Sequence, residues 1–444
     1  VNSRTAGQRH RTALAIASAL LLAACGGEQR QDLAFSPTTV VSQETANGAT
    51  PMFLVTPAGD RVLAWVAAEG GGDNGRLFVS VTPHGAAAAL PTVMLVDSLG
   101  PIEPHGEAPP RLAADAKGVL YALYGVGKLV PGRRFPASAL RLVRSSDQGR
   151  TWTAPVTVNG TGELGDFGSH AFHALTVAPD GSVIATWLEN SAGKSKVFFA
   201  RSTDGGSSFG VPAALRQDQA CPCCRTGVAA TGDGKLFVSW RSVFTGDVRD
   251  VVVSRSDDAG ATWQEPVRPR EDGWVFPGCP HAGPAMALGP DGAVHIAWWT
   301  GKAKDAGVWY AKSTDGGKTF TPHPIAIGER SQPSHVQLAV TPGGEVYLAW
   351  DDGHGTTPVV MLKRSLDGGA TWLATQTISD PATASTFPVM ALIGDSVAIA
   401  WSQQSAEAHE HAMHEMESMK DPKVQNPLPR VGQQEVFLRV AGTN

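Results

Sequence analysis

Charge is scarce in this 444-residue chain: Asp, Glu, Lys and Arg together make 17 %, and the net charge is -5. That balance gives no basic field for nucleic acid and no polybasic patch for a membrane surface. Tyrosine stops at four residues and cysteine at five. The apolar run from Ala13 to Ala24 is too short to span a bilayer. With Arg9-His10-Arg11 before it, the run reads as a secretory signal. What the chain has in excess is glycine, at 50, and proline, at 31. That mixture suits short strands joined by many turns. The length suggests two or three ordinary domains, but repeat architectures escape that rule.

A unit does repeat. It runs as an alternating apolar strand, a tight Gly/Asp turn, a second strand often ending in Trp, a loop, a third strand ending in Arg/Lys-Ser, and a fourth strand. Five copies carry Ser-x-Asp-x-Gly-x-Thr-Trp or a near form of it, at Ser145–Trp152, Ser202–Phe209, Ser256–Trp263, Ser313–Phe320 and Ser365–Trp372. Their aspartates stand at 147, 204, 258, 315 and 367, giving spacings of 57, 54, 57 and 52. Four strands at a period near fifty are propeller blades. In the signature, Asp accepts the N–H groups of its own turn and Gly supplies positive φ. The motif resembles the Asp-box (BNR repeat) of sialidase-type propellers. In that family the box is structural, so the resemblance implies an all-β propeller and no particular chemistry.

The blade count departs from the six of sialidases. A first unit without the box covers about 52–96, and boxed units cover about 110–158, 168–216, 222–268, 280–327 and 333–379. The last unit has strands near 386–392, 397–401 and 434–440, and residues 38–43 are placed to supply its fourth strand. Seven four-stranded blades are therefore expected, with six as the alternative. Residues 402–432 interrupt the last unit with a polar His/Met-rich segment, expected as a mobile loop.

Leu22-Ala23-Ala24-Cys25-Gly26-Gly27 resembles the lipobox of bacterial lipoproteins. The resemblance implies a signal over 1–24, a lipid on Cys25, a tether over 25–35 and one propeller over 36–444. It also implies an anchor in the outer membrane, facing the periplasm or the cell surface. An ordinary signal cut nearby, leaving Cys25 unmodified, is the alternative.

The other four cysteines lie within residues 221–279. Aligned on the first Gly/Asp turn of each blade, Cys221, Cys279 and His105 stand thirteen residues before Gly234, Gly292 and Gly118. Cys223, His281 and His170 stand eleven before theirs, Cys224 ten, His335 nine and His173 eight. The lead-in to each inner strand shares one face with the loop after the second strand. Ring symmetry therefore predicts these groups around one mouth. Over the same face hang Asp351, Asp352, His354 and the inserted His409, His411, Met413, His414, Met416 and Met419.

Thiolate, imidazole and thioether together select soft metals, Cu(I) first and then Zn(II). A copper-binding, non-catalytic lipoprotein is the leading expectation, with zinc as the alternative metal and no nucleic-acid partner. A disulfide from Cys223 or Cys224 to Cys279 is the rival reading of the cysteines, since the compartment is oxidising. A sialidase-like exo-glycosidase is the second functional reading and a protein-interaction platform the third. Sialidases hold a carboxylate with three arginines. Here Arg111 and Arg225 occupy plausible positions and a third is not evident. Glu107 and Asp166 are candidates for a two-carboxylate glycosidase.

Overall fold

The computed structural model describes Val1 and residues 32–441, apart from 46, 69–73, 162–163, 192–193, 329–332, 354–356, 395, 419–424, 429 and 431. Cys25 and the expected signal lie outside the described residues. Seven antiparallel sheets form the molecule. Their innermost strands are Ala49–Val55, Arg111–Ala114, His170–Val177, Gly227–Ala230, Ala285–Leu288, Pro333–Val340 and Thr383–Ile393. Each lies against the next, and the last lies against the first, so the ring is closed. The box-free first unit is a full blade, with strands Ala49–Val55, Arg61–Ala67, Arg76–Thr82 and Val93–Leu95. That settles the count at seven. Blade four has three strands, and a single Val253–Val267 bridge stands where its fourth would be.

The ring closes with a segment from the N-terminal side. Thr39 and Val40 pair antiparallel with Leu438 and Phe437, completing blade seven. Ser36 N–H donates to the Val440 carbonyl and Val41 N–H to that of Val436, each at 2.8 Å. Closure of this kind leaves no raw sheet edge between the first and last blades.

Between blades, packing is apolar and periodic. Trp65, Tyr124, Trp187, Trp240, Trp298, Trp350 and Trp401 occupy one position of the second strands, none more than 2 % exposed. Blade two alone has Tyr there, and its hydroxyl donates to Asp97 at 3.1 Å. The Asp-boxes rivet neighbouring blades from the outside. In the first, Thr151 N–H and its hydroxyl donate to the Asp147 carboxylate at 2.9 and 2.6 Å, and Gly149 N–H donates to Ser145 Oγ at 2.9 Å. The same bonds recur at Asp204, Asp258, Asp315 and Asp367. Gly260 needs to be glycine twice over: its φ is +94°, and a Cβ there would fall 2.4 Å from the Phe199 ring of the preceding blade.

The insertion in blade seven differs from expectation. The second strand continues to Ser405, and helix α1 follows over Ala406–Ser418. Ser405 Oγ accepts the Ala408 N–H at 3.1 Å, an N-terminal cap. Alanine, glutamate and methionine are good helix formers, and the sequence reading as a loop gave their propensity too little weight. No helix among the described residues is long and apolar enough to cross a membrane.

Ser42, fully buried, accepts the Val436 N–H on its Oγ at 2.9 Å at the ring seam. Replacing Ser42 with Ala strands that buried amide. Chemical denaturation should show a loss of about 1–3 kcal/mol with an unchanged m-value.

Candidate metal centre

The mouth is built by irregularities in the inner strands. Four of these strands bulge, placing Thr50, Phe172, His335 and Phe387 at φ of 53°, 59°, 45° and 53°. A bulge takes a residue out of the ladder and re-aims its side chain. Two of the freed amides are satisfied by the preceding blade: Thr50 N–H donates to Ser402 Oγ at 3.1 Å and Phe387 N–H to Asp351 Oδ2 at 2.9 Å. Thr50, Phe172 and His335 stand nine residues before Gly59, Gly181 and Gly344. By the same count Arg225 and Gly283 hold this place in blades four and five.

Arg225 runs across the bore. Its Nη1 donates to Glu107 Oε2 of blade two at 2.9 Å, and its Nη2 to the Val336 carbonyl of blade six at 2.6 Å. Glu107 Oε1 accepts the Gly283 N–H of blade five at 3.0 Å. The two side chains are 5 % and 1 % exposed. A Cβ on Gly283 would fall 2.4 Å from Arg225 Cγ, so glycine is required for this approach. Both oxygens of Glu107 are thus engaged, and the reading of Arg225 as a free carboxylate binder gives way to a brace across four blades. Arg111 donates from Nε to the His173 carbonyl at 3.1 Å.

Cys221, Pro222, Cys223 and Cys224 form a tight turn before the inner strand of blade four. Adjacent side chains point to opposite faces in a strand, but a turn has no such alternation, so Cys223 and Cys224 are free to face one point. Cys221 Sγ lies 3.8 Å from Cys223 Sγ and 3.5 Å from Cys224 Sγ. The three are 0 %, 4 % and 1 % exposed, and all three sulfurs lie within 4.8 Å of one another. Arg249 Nη1 donates to Cys221 Sγ at 3.1 Å. Arg241, fully buried, donates to the carbonyls of Ala282, Arg249 and Trp299 beside it. Hydrogen bonds from Cys223 and Cys224 hold the Cys221 thiol far below its usual range, and the Arg241 and Arg249 charges act in the same direction. Its hydrogen bonds to Cys221 and Cys224 push Cys223 up, and burial pushes Cys224 up. Cys279, from blade five, is exposed beside Cys223, and that hydrogen bond lowers its thiol to about 7. All four are free thiols.

The histidines divide. His105, Phe172 and His281 meet across the bore, with ring centroids 5.4, 6.1 and 6.3 Å apart, and Phe172 also packs on the cysteine turn. His335 lies within electrostatic reach of His105 and His281. Its Nδ1 is 2.6 Å from Asp351 Oδ2, and its ring lies 4.0 Å from that of Phe387. Burial pushes His105 down to about 4, and the neighbouring imidazoles push it the same way. His173 sits deeper, 1 % exposed, pushed down to about 3 by burial and then by Arg111. His170 faces its cross-strand partner instead, with Nδ1 2.5 Å from Glu189 Oε2. On α1, His409 is half-buried, 3.1 Å from Gln404 Nε2 and within electrostatic reach of Asp351. His411, Met413 and His414 are exposed to solvent. The Met416 side chain, Met419 and His354 lie outside what is described.

Sequence reasoning missed Arg241 and Arg249, the cations around the sulfurs. The available signal was an arginine directly after Trp240, inside a strand whose neighbours are core.

Residues 64–272, just under half of the chain, match the BNR repeat-like domain. No curated protein sequence matches this chain. Among solved structures, a Dyadobacter fermentans protein of unknown function is 14 % identical at TM-score 0.51, covering 93 % of this chain and 99 % of that one. A polysaccharide lyase, ulvan lyase, is 14 % identical at TM-score 0.53, covering 80 % and 92 %. The intramolecular trans-sialidase of Ruminococcus gnavus is 13 % identical at TM-score 0.45, covering 84 % and 93 %. At such identities the first two likenesses show a shared fold alone.

Two expectations follow from the bore. Glu107→Ala leaves the Arg225 charge buried without its partner, which should cost about 3–5 kcal/mol in urea denaturation. The second concerns acid. The unfolded chain protonates His173 near 6.5, whereas the folded protein does so only near 3. Stability is therefore full above pH 6.5 and falls as pH drops toward 3, by about 1.4 kcal/mol per pH unit for this group. In His173→Gln that slope should be shallower by the same amount between pH 6 and 4.

Proposed function

We propose that this chain is an extracytoplasmic propeller, held to the outer membrane by a lipid on Cys25, that binds a soft metal ion without turning over a substrate. Cu(I) is the preferred ion and Zn(II) the alternative. The observation that supports this reading is the trio of buried sulfurs at Cys221, Cys223 and Cys224. Metal–sulfur bonds of about 2.3 Å separate sulfurs by about 3.8–4.0 Å in tetrahedral or trigonal sites. The observed 3.5 and 3.8 Å match that spacing with little movement. Three thiolates suit Cu(I), and Cys279 or His281 at the rim supplies a fourth donor for Zn(II). The guanidinium groups of Arg249 and Arg241 favour the thiolate form that a metal requires.

His105 packs on Phe172, which covers the cysteine turn, and Asp351 fixes the orientation of the nearby His335 ring. The exposed His411, Met413 and His414 of α1 offer weaker capture ligands outside the bore. A sialidase-like glycan hydrolase has less support in the side chains. Glu107 and Arg225 bond each other and the backbone, leaving neither free for a sugar.

The test is a Cu(I) competition against a chromogenic chelator under reductant. The expected result is one Cu(I) per chain, lost in Cys221→Ser/Cys223→Ser with circular dichroism unchanged. A fully reduced protein that takes up neither Cu(I) nor Zn(II) would sink the reading.

A further inference from the structure

The insertion in blade seven touches the molecule at two places. Helix α1 begins at Ala406 and packs on the strands Ser396–Ser405 and Thr383–Ile393 of its own blade. The far end of the insertion lies on blade two. Gln425 Nε2 donates to the Val130 carbonyl at 2.9 Å, and Asn426 N–H donates to the Arg134 carbonyl at 2.6 Å. Both carbonyls belong to the loop between the second and third strands of blade two, Leu120–Lys128 and Ala137–Ser145. That loop stands on the mouth face, so one insertion reaches past blade one from blade seven to blade two.

The place it reaches is shaped to receive it. Glu103 N–H donates to the Gly125 carbonyl at 3.0 Å and Gly127 N–H to that of Pro101 at 3.2 Å, which lays the lead-in of blade two along its second strand. Gly127 pairs with Ser138 inside a regular ladder, where the backbone has no need of glycine. Space demands it instead: a Cβ there would fall 2.5 Å from Glu103 Oε1 and 2.6 Å from Leu428 Cδ2. Leu428 therefore seats against bare backbone. Pro427 keeps the residue before it extended, the form in which Asn426 presents its N–H to the loop.

The seat is lightly held. Among the described residues, two hydrogen bonds to blade two and the half-buried Leu428 side chain fix the segment, and Gln425 is exposed. Asn426 Oδ1 is buried with no partner, a desolvated acceptor that favours the undocked state. In the same loop Leu129 and Phe135 are 47 % and 56 % exposed, apolar surface that the segment leaves uncovered.

We infer that this loop is a docking groove for an extended polypeptide segment carrying a Pro-Leu pair, and that residues 425–428 occupy it in cis as an autoinhibitory latch. The partner's leucine takes the seat at Gly127, its backbone N–H takes the Arg134 carbonyl, and its flanking residues cover Leu129 and Phe135. That added apolar contact offsets the high local concentration of the tethered segment. Docking frees the end of the insertion from blade two and uncovers the mouth on that side. The inference uses none of the cysteines and is independent of the metal reading.

The experiment uses the full chain and a fluorescent synthetic peptide of residues 424–430, Val-Gln-Asn-Pro-Leu-Pro-Arg, read by anisotropy. Leu428→Asp vacates the latch, and this variant should bind the peptide at least tenfold more tightly than the wild type does. Trypsin should cut after Lys423 at least tenfold faster in it, with circular dichroism unchanged. Adding Gly127→Ala fills the seat and should abolish peptide binding. The same peptide with Asp in place of its leucine should not bind either, a control that puts no strain on the strand. Equal peptide affinity or equal cleavage in the wild type and Leu428→Asp overturns the latch. No binding by Leu428→Asp, or binding that tolerates Asp in the peptide, overturns the groove.

Discussion

The seam where Thr39 and Val40 lie against Leu438 and Phe437 governs the rest of the molecule. A propeller blade buries its faces only against two neighbours, so seven sheets are stable together when the last meets the first. Ring closure brings lead-in segments separated by more than two hundred residues to a common axis. Glu107 then reaches Arg225, and Phe172 reaches His281. Without closure none of these pairs has a reason to meet, and the cysteine turn loses the wall formed by blade five.

Strand irregularity converts this scaffold into a place for chemistry. A regular inner strand would point alternate side chains into the blade interfaces, where tryptophans already fill the space. The bulges at Thr50, Phe172, His335 and Phe387 break the alternation, and Phe172, His335 and Phe387 then meet rings of other blades. Two of the freed amides, at Thr50 and Phe387, are bonded by the neighbouring blade, so these departures from regularity also tie blades together. Blade four reaches the same end differently, with a proline-containing turn that folds three cysteines onto one centre. Hydrogen bonds from Cys223 and Cys224, with two buried arginines acting in the same direction, favour thiolate at Cys221. A buried guanidinium and a buried thiolate each lower the cost of the other's charge.

Much of the fold was legible because its determinants are local. The Ser-x-Asp-x-Gly-x-Thr-Trp signature needs only eight residues to close its own hydrogen bonds, and glycine at Gly260 announces a backbone angle other residues avoid. Blade one was legible without a box, from its alternating strands and its turn glycine. Helix α1 was misjudged because a polar His/Met/Glu segment has composition without obvious periodicity, whereas its serine cap and helix formers decide its state. Among site residues, counting from the turn glycines aligned Cys221 with Cys279 and placed His105, His281 and His335 on one face. The same count put His170 with them, and there Glu189 lies directly across the strand, against the imidazole Nδ1.

The sequence by itself determined the repeat, the strand order within each blade and the face on which each lead-in segment emerges. These follow from glycine turns and two-residue alternation, which act over a few residues. Only the tertiary structure decided which side chains converge. Whether Arg225 is free for a ligand or spent on Glu107, and whether Phe172 meets His281, depends on neighbours supplied by other blades. Those neighbours are fixed by the angle and diameter of the closed ring, quantities that no stretch of seven or eight residues contains.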